Sequence, residues 1–269
     1  MTVLTLGLDR ARTEVRTFFR AGDTVLFTFA FPVIMLLVFS TAFSELSDFG
    51  EAPDGSVVNA ATYYLPGMIA SGVLLIGVQS LAVDIAGERA DGTMKRLAST
   101  PLPVASWFLG KIGQVLVTGA LQLALLLAVA ALAFGVDLPT DPGTWARFAG
   151  IWLLGLATTS LLGVALSRLP RSGRSATAVI VPITVVLQFV SGVYLPFSQL
   201  PGWLQSVASA FPLRWLAQGA RSVFLPPEFA AAEPSGSWDL PSVVLWLGVW
   251  LVVGLGVTLV TFRWIRQDD

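Results

Sequence analysis

The 269-residue chain contains no histidine and no cysteine. The first absence removes the commonest general base, proton shuttle and metal ligand of neutral pH. The second removes disulfides, thiol nucleophiles and zinc–thiolate sites. Charge is scarce too: Asp, Glu, Lys and Arg make up 12% of residues, about half the roughly 25% of a soluble domain. A net charge of −1 gives no overall attraction to nucleic acid. A phosphate-binding G-x-x-x-x-G-K-[ST] loop is also missing. Gly110–Lys111 comes closest, but Ala105 stands where the first glycine belongs and Ile112 follows the lysine. The chain is therefore not expected to bind ATP through a loop of its own.

What it has instead is apolar length: 55% of residues are hydrophobic and the mean hydropathy is +0.76. The few charges fall in blocks. Between them run uncharged stretches at 24–44, 55–83, 112–136, 148–167, 175–213 and 240–262. A helix needs about 20 apolar residues to cross the hydrocarbon of a bilayer, and lipid forces backbone polar groups to pair within the segment. The expected fold is an all-α polytopic membrane protein with six spans, at about 24–44, 63–83, 112–136, 148–167, 175–195 and 242–262. The 175–213 run could hold two spans by length. Pro196, Pro201, Gly202 and Pro212 cut its second half into pieces too short to cross. A re-entrant or interfacial helical hairpin from Phe197 to Phe224 fits better. The first run is not expected to be a secretory signal, because 23 residues precede it and no small-residue cleavage site follows.

Lysine and arginine set the orientation. With six spans, thirteen of the sixteen basic residues fall on the side of the termini. These are Arg10, Arg12, Arg16 and Arg20, then Arg89, Lys95, Arg96 and Lys111, then Arg168, Arg171 and Arg174, and last Arg263 and Arg266. The opposite side holds Arg147, Arg214 and Arg221, and its 45–62 loop carries four acids and no base. Both termini are expected to be cytoplasmic, in a cell (inner or plasma) membrane. Residues 1–23 mix four arginines with Leu4, Leu8, Val15, Phe18 and Phe19, a pattern for an amphipathic helix in the headgroup layer. Residues 24–269 then form a single transmembrane domain. Arg214 and Arg221 lie against the charge rule, so they are expected to pair or to bind headgroups, and 226–241 reads as a surface loop.

No span carries an ionisable residue in its interior; Asp84 sits at the cytoplasmic end of span two. A proton-driven carrier thus lacks a proton carrier, and a membrane-embedded enzyme lacks an acid–base or metal cluster. Energy for a pump would have to arrive by contact at the cytoplasmic face. The longest cytoplasmic connector, 84–111, is where a soluble partner could dock. In it Gly87 and Gly92 flank Glu88–Asp91, Thr93 can cap a short helix through Leu97, and Pro101 and Pro103 stop it. An ordinary positive-inside flank would look similar. Among polar side chains in spans, Gln79 and Gln188 are candidates for a pathway or for plain interhelical hydrogen bonding. Gln114 and Gln122 fit the second better. Pro182 is a candidate kink in span five. The remaining walls are Leu, Val, Ile, Ala and Phe, which suit an apolar or amphipathic cargo.

Two stretches carry a family resemblance. The run E88-R-A-D-G-T-M-K-R-L-A-S-T-P-L-P with F108-L-G-K111 resembles the cytoplasmic connector of type-2 ABC exporter permeases, the drug-resistance and polysaccharide-export type. The run F189-V-S-G-V-Y-L-P-F-S-Q-L-P-G-W-L with F211-P-L-R-W-L-A-Q-G-A-R221 is similar to the family's segment before the last span. The resemblance implies a permease, not an enzyme. It would work as a dimer, with a second, identical copy and two copies of a separate ATPase that holds ATP and Mg. This chain itself would bind no cofactor and no metal. The resemblance also implies a coupling helix seated on the ATPase, with Glu88 at its head and Arg89, Asp91, Gly92, Thr93, Lys95, Arg96 and Leu97 shaping the contact. Glu88 would pair with a base such as Arg168, Arg171 or Arg174. The substrate pathway would run between spans two and five, past Ile76, Gln79, Gln188, Phe189 and Gly192. An external hairpin with Pro196, Phe197, Pro201, Trp203, Pro212 and Arg214 would cap the exit. The cargo expected is a drug, lipid or lipid-linked molecule moved outward. A glycan or glycolipid exporter and a non-transporting scaffold are the alternatives.

Overall fold

The computed structural model describes residues 2–43, 58–170 and 172–261. The acids of the 45–57 segment, Arg171, Arg263 and Arg266 lie outside the described residues. Among the described residues there is no strand. The chain begins with α1 (Val3–Arg20), capped by the Thr2 hydroxyl, which accepts from the Thr5 amide. Six helices long and apolar enough to span follow: Gly22–Ala42, Ala60–Ala90, Val104–Phe134, Pro142–Leu166, Gly173–Val190 and Leu240–Thr261. They are α2, the compound α3–α4, α6, α7, α8 and α11. The two short helices α9 (Gly202–Ser209) and α10 (Pro212–Phe224) precede the last span.

The number of spans agrees with the charge gaps, but two of them are longer than the gaps. Span two and α6 each run 31 residues, about 46 Å at 1.5 Å per residue, against about 30 Å of hydrocarbon. The expected connector of 84–111 shrinks to Asp91–Pro103. The helices continue through Asp84, Glu88 and Lys111 because those charges meet one another, as described below.

Span two is the centre of the bundle. Of its most apolar 18-residue window 83% is buried, against 22–39% for the other five spans. It is α3 (Ala60–Leu74), then a π-helical turn (Leu75–Ser80), then α4 (Leu81–Ala90). Small residues let its neighbours approach closely. A β-carbon on Gly163 of α7 would fall 2.1 Å from the Gly77 carbonyl oxygen, so two backbones meet here with no side chain between them. The π-turn is the kind of local insertion that redirects side chains within a helix. Here it includes Gln79, whose amide faces α8.

The expected external hairpin exists as α9 and α10, with a difference in depth. α9 is largely exposed, Trp203 at 69%. All thirteen residues of α10 are buried. It packs on α3, α7 and α11, starts with Pro212 at its first turn, and belongs to the core. Pro182 lies inside α8.

Candidate functional site

The connector forms a compact feature at the face that carries α1. α4 ends at Ala90, and Gly92 takes the left-handed conformation (φ 78°) that a side chain resists. α5 (Thr93–Ala98) follows. Its cap differs from expectation: the Asp91 carboxylate accepts from the Thr93 amide at 2.8 Å, while the Thr93 hydroxyl accepts from Arg96. These contacts hold the Asp91 carboxyl below the usual carboxylate range, the Thr93 hydrogen bond foremost. Met94 is buried and Leu97 packs against the core, which anchors α5 by its apolar side. Lys95 and Arg96 face outward and are exposed. Arg89 turns back to the bundle and donates to the Ser167 carbonyl at 2.9 Å.

Glu88 is not the head of that helix. It occupies the last turn of span two, with its side chain 12% exposed. Of the arginines expected, neither Arg168 nor Arg174 is its partner, and Arg171 lies outside the described residues. Lys111 donates to its Oε1 at 2.8 Å, Arg10 to the same oxygen at 3.2 Å, and the Trp107 indole to its Oε2 at 3.3 Å. The physical reason is position. Arg168 follows α7, whereas Lys111 and Arg10 reach Glu88 with their side chains from α6 and α1.

Lys111 is the hub. Its side chain is 2% exposed, and it meets Glu14 at 2.9 Å and Glu88 at 2.8 Å, and contacts Asp84 as well. Arg10 joins Glu14 to Glu88. Three carboxylates and two bases thus tie α1, span two and α6 into one knot. Glycine makes it possible: Gly7, Gly110 and Gly113 lie where α1 and α6 approach so closely that a β-carbon would collide with the opposite helix. The carboxylate oxygens of Glu14, Asp84 and Glu88 lie within 4.8 Å of one another, close enough to hold a metal ion. The Lys111 ammonium already sits among them and supplies the cation. The N-terminal helix, expected to lie on the headgroups, therefore also sends a buried acid inward, although Leu4 and Leu8 stay exposed.

In the middle of the bundle the expected pathway residues are engaged in hydrogen bonds. The Gln79 carbonyl oxygen accepts from Thr184 at 2.7 Å. The Gln188 oxygen accepts from Ser71 and, at 2.6 Å, from Tyr194, while its amide donates to the Thr184 carbonyl. Both glutamines and Ile76 are buried in the protomer, whereas Phe189 is 50% exposed. Gly192 has positive φ (73°) at the turn after α8. Gln122 donates to the Thr28 carbonyl, joining α6 to α2. Of the four glutamines in spans, Gln114 alone keeps a buried oxygen without a partner.

At the opposite face, the predicted pairing of Arg214 and Arg221 is found, with a partner that sequence reading missed. Glu233 lies in the stretch read as a surface loop, yet it is 7% exposed. Arg221 Nε meets it at 2.7 Å and Arg214 at 3.3 Å. The Arg214 guanidinium also lies 4.3 Å from the Phe197 ring centre. Phe197 is itself buried, so the hairpin's first turn closes over the arginine. Trp203 and Pro201 stay at the exposed margin.

The helix count, the spans' apolar composition and the central buried span define a multi-pass α-helical membrane protein. A more specific assignment follows from comparison. Residues 51–260 match the model of the ABC-2 family transporter protein family, so the chain belongs to that family. It is 25% identical over 165 residues to the "Probable multidrug ABC transporter permease YbhR" of Escherichia coli strain K12, covering 61% of this chain and 44% of that protein. It is 22% identical over 214 residues to the "Uncharacterized protein YhgE" of Bacillus subtilis, 79% of this chain and 25% of that one. The chain thus spans less than half the length of the curated relatives it matches.

Proposed function

We propose that this chain is the membrane permease subunit of an ATP-driven exporter. It acts as a pair of identical copies, each docked on one separate ATPase subunit that binds ATP and Mg, while the chain itself binds neither. The observation that carries the reading is the form of the Asp91–Pro103 connector. A short helix is anchored by Met94, held between two spans, and presents Lys95 and Arg96 outward. The knot around Lys111 braces α4 and α6, the helices on either side of it. A push on α5 would be passed to both helices instead of being lost in a slack loop. The concentration of basic residues on this side supports a cytoplasmic placement, with the termini on the same side.

The cargo in this reading is a hydrophobic or amphipathic molecule, such as a drug, lipid or lipid-linked compound. The apolar span walls and the multidrug relative favour it over a free sugar or inorganic ion. Transport proceeds by alternating access at the interface between the two copies. There Phe189 is an exposed aromatic on span five, and the buried Gln79–Thr184–Gln188 chain holds span five to span two as one moving unit.

The test is ATP hydrolysis by the permease and its ATPase co-purified in lipid, with and without a hydrophobic cargo. Reversing Lys95 and Arg96 together to Glu should lower cargo-stimulated hydrolysis about tenfold and leave the melting temperature of the permease unchanged, because both side chains are exposed. Should no ATPase co-purify, or hydrolysis ignore both cargo and substitution, the exporter reading fails and a non-transporting scaffold takes its place.

A further inference from the structure

A cavity of about 390 Å³ opens beside the ionic knot, between α1, α2, span two, α6 and α8. Its lining includes three acids, Glu14, Asp23 and Asp84, and neither lysine nor arginine among the described residues. Glu14 and Asp84 are shared with Lys111, but the knot as a whole holds three carboxylates against two bases, a formal charge of −1. Asp23, at the start of α2, is exposed and has no ion pair among the described residues. It adds a second. The cavity is therefore a pocket of negative potential with an apolar side, on which Phe18 and Phe27 stand.

A second observation is independent of the acids. Gln114 lines the same cavity and is 5% exposed, and its carbonyl oxygen is buried with no hydrogen-bond partner. An unmet buried acceptor is costly unless something donates to it. A ligand with N–H donors would satisfy it while also answering the carboxylates, and the aromatic rings favour a cation near their faces.

We propose that this cavity binds an amphiphile headed by a protonated amine. The ammonium lies towards Asp84, Asp23 and the Gln114 oxygen, and the hydrocarbon lies against Phe18 and Phe27. The inference builds on the export reading by naming the charge of the molecule admitted at this face. A phosphate-bearing or carboxylate-bearing amphiphile is disfavoured by the same acids. Two sources supply the chemistry, a free hydrophobic amine and the amine of an aminolipid headgroup.

Equilibrium binding to the full chain in phosphatidylcholine nanodiscs tests this directly, with empty nanodiscs as the partition control. The probes are radiolabelled 1-aminoadamantane and adamantane-1-carboxylate, which share one cage and differ in the sign and hydrogen-bonding character of the head group. The ammonium should bind at least about tenfold more tightly than the carboxylate, and Asp23→Asn and Gln114→Leu should each weaken it about fivefold. Asp23 is exposed and outside the knot, so its substitution leaves the fold intact, and a melting curve checks both variants. Repeating the assay with phosphatidylethanolamine in the nanodisc separates the sources. Competition identifies the aminolipid as occupant, its absence the free amine, and either outcome supports an ammonium site. Equal binding of the two probes overturns the proposal, as does amine binding that ignores both substitutions in folded protein. Because no ATPase is present, failure here leaves the exporter reading standing, and failure of the hydrolysis experiment leaves this one standing.

Discussion

Two buried ion clusters sit at opposite faces of the same bundle, and they are built on opposite plans. At the α1 face, one lysine is surrounded by three carboxylates with Arg10 alongside. The cluster is net negative, and its members come from three helices, with Glu14 and Lys111, a directly bonded pair, 97 residues apart in sequence. At the far face, one carboxylate, Glu233, holds two arginines. That cluster is net positive, and all its members lie within twenty residues of one another. The first is a tertiary knot that fixes how α1, span two and α6 sit together. The second is a local staple that ties the chain after α10 back onto α10. Burying charge costs several kcal/mol per ion, and the pairs offset that cost only when every partner is present. Both clusters should therefore be judged by what happens when one member is lost.

The largest effect is expected at the hub of the knot. Lys111→Met keeps the side-chain length and removes the only ammonium that meets Glu14, Asp84 and Glu88 among the described residues. Three carboxylates then face one another with Arg10 as the one remaining base among the described residues, and the Trp107 indole as a neutral donor to Glu88. The loss should be about 3–5 kcal/mol, seen as a large drop in melting temperature in detergent and release of α1 to protease. A variant that melts with the wild type would show that water or protonation already satisfies the acids, and the knot would lose its bracing role.

Glu233→Gln comes next. It removes the carboxylate that Arg214 and Arg221 share, but leaves both with partners. Arg214 keeps Gln218 and the Phe197 and Trp215 rings, and Arg221 keeps the Gly192 carbonyl at 3.4 Å. A smaller loss is expected, about 2–3 kcal/mol, together with faster proteolysis in the 226–239 segment and little change at α1. If this variant proved more damaging than Lys111→Met, the ranking of knot above staple would be reversed.

The two clusters also mark the limit of what the sequence revealed. Gaps between charges located all six spans, because lipid imposes a length that apolar runs must meet. They misplaced the ends of span two and α6 because a charge was taken as a boundary. Asp84, Glu88 and Lys111 break an apolar run without breaking a helix, since each finds its counter-charge inside the fold. The spacing of Arg10 to Glu14 and of Asp84 to Glu88 is i,i+4, which puts each pair on one helix face and was the available hint of a shared interior. No local pattern could have joined either pair to Lys111. Likewise Pro and Gly marked the hairpin before the last span. Nothing local told the buried α10 from the exposed α9, because burial of an arginine-bearing helix depends on Glu233 arriving from the next segment. Glutamines in spans two and five were open to two readings, and no local pattern could name the partners they find, Thr184, Ser71 and Tyr194.

A carboxylate outside both clusters sharpens the contrast by being exposed. Asp91 lies three residues beyond Glu88 and has no buried charge to neutralise, only the Thr93 amide to cap. Asp91→Ala should cost under about 1 kcal/mol and raise amide hydrogen exchange in Thr93–Ala98, with no change at α1. Its pH dependence has a definite sign. Hydrogen bonding lowers the folded carboxyl below its unfolded value, the Thr93 bond being the largest cause. The cap's contribution is therefore complete above the unfolded value of about 3.9. It is lost as the pH falls through the lowered folded value. The exchange ratio of variant to wild type should thus exceed one at neutral pH and approach one in acid. A ratio that stays constant across that range would mean Asp91 acts there by something other than its charge, and that α5 is held by Met94 and Leu97 alone.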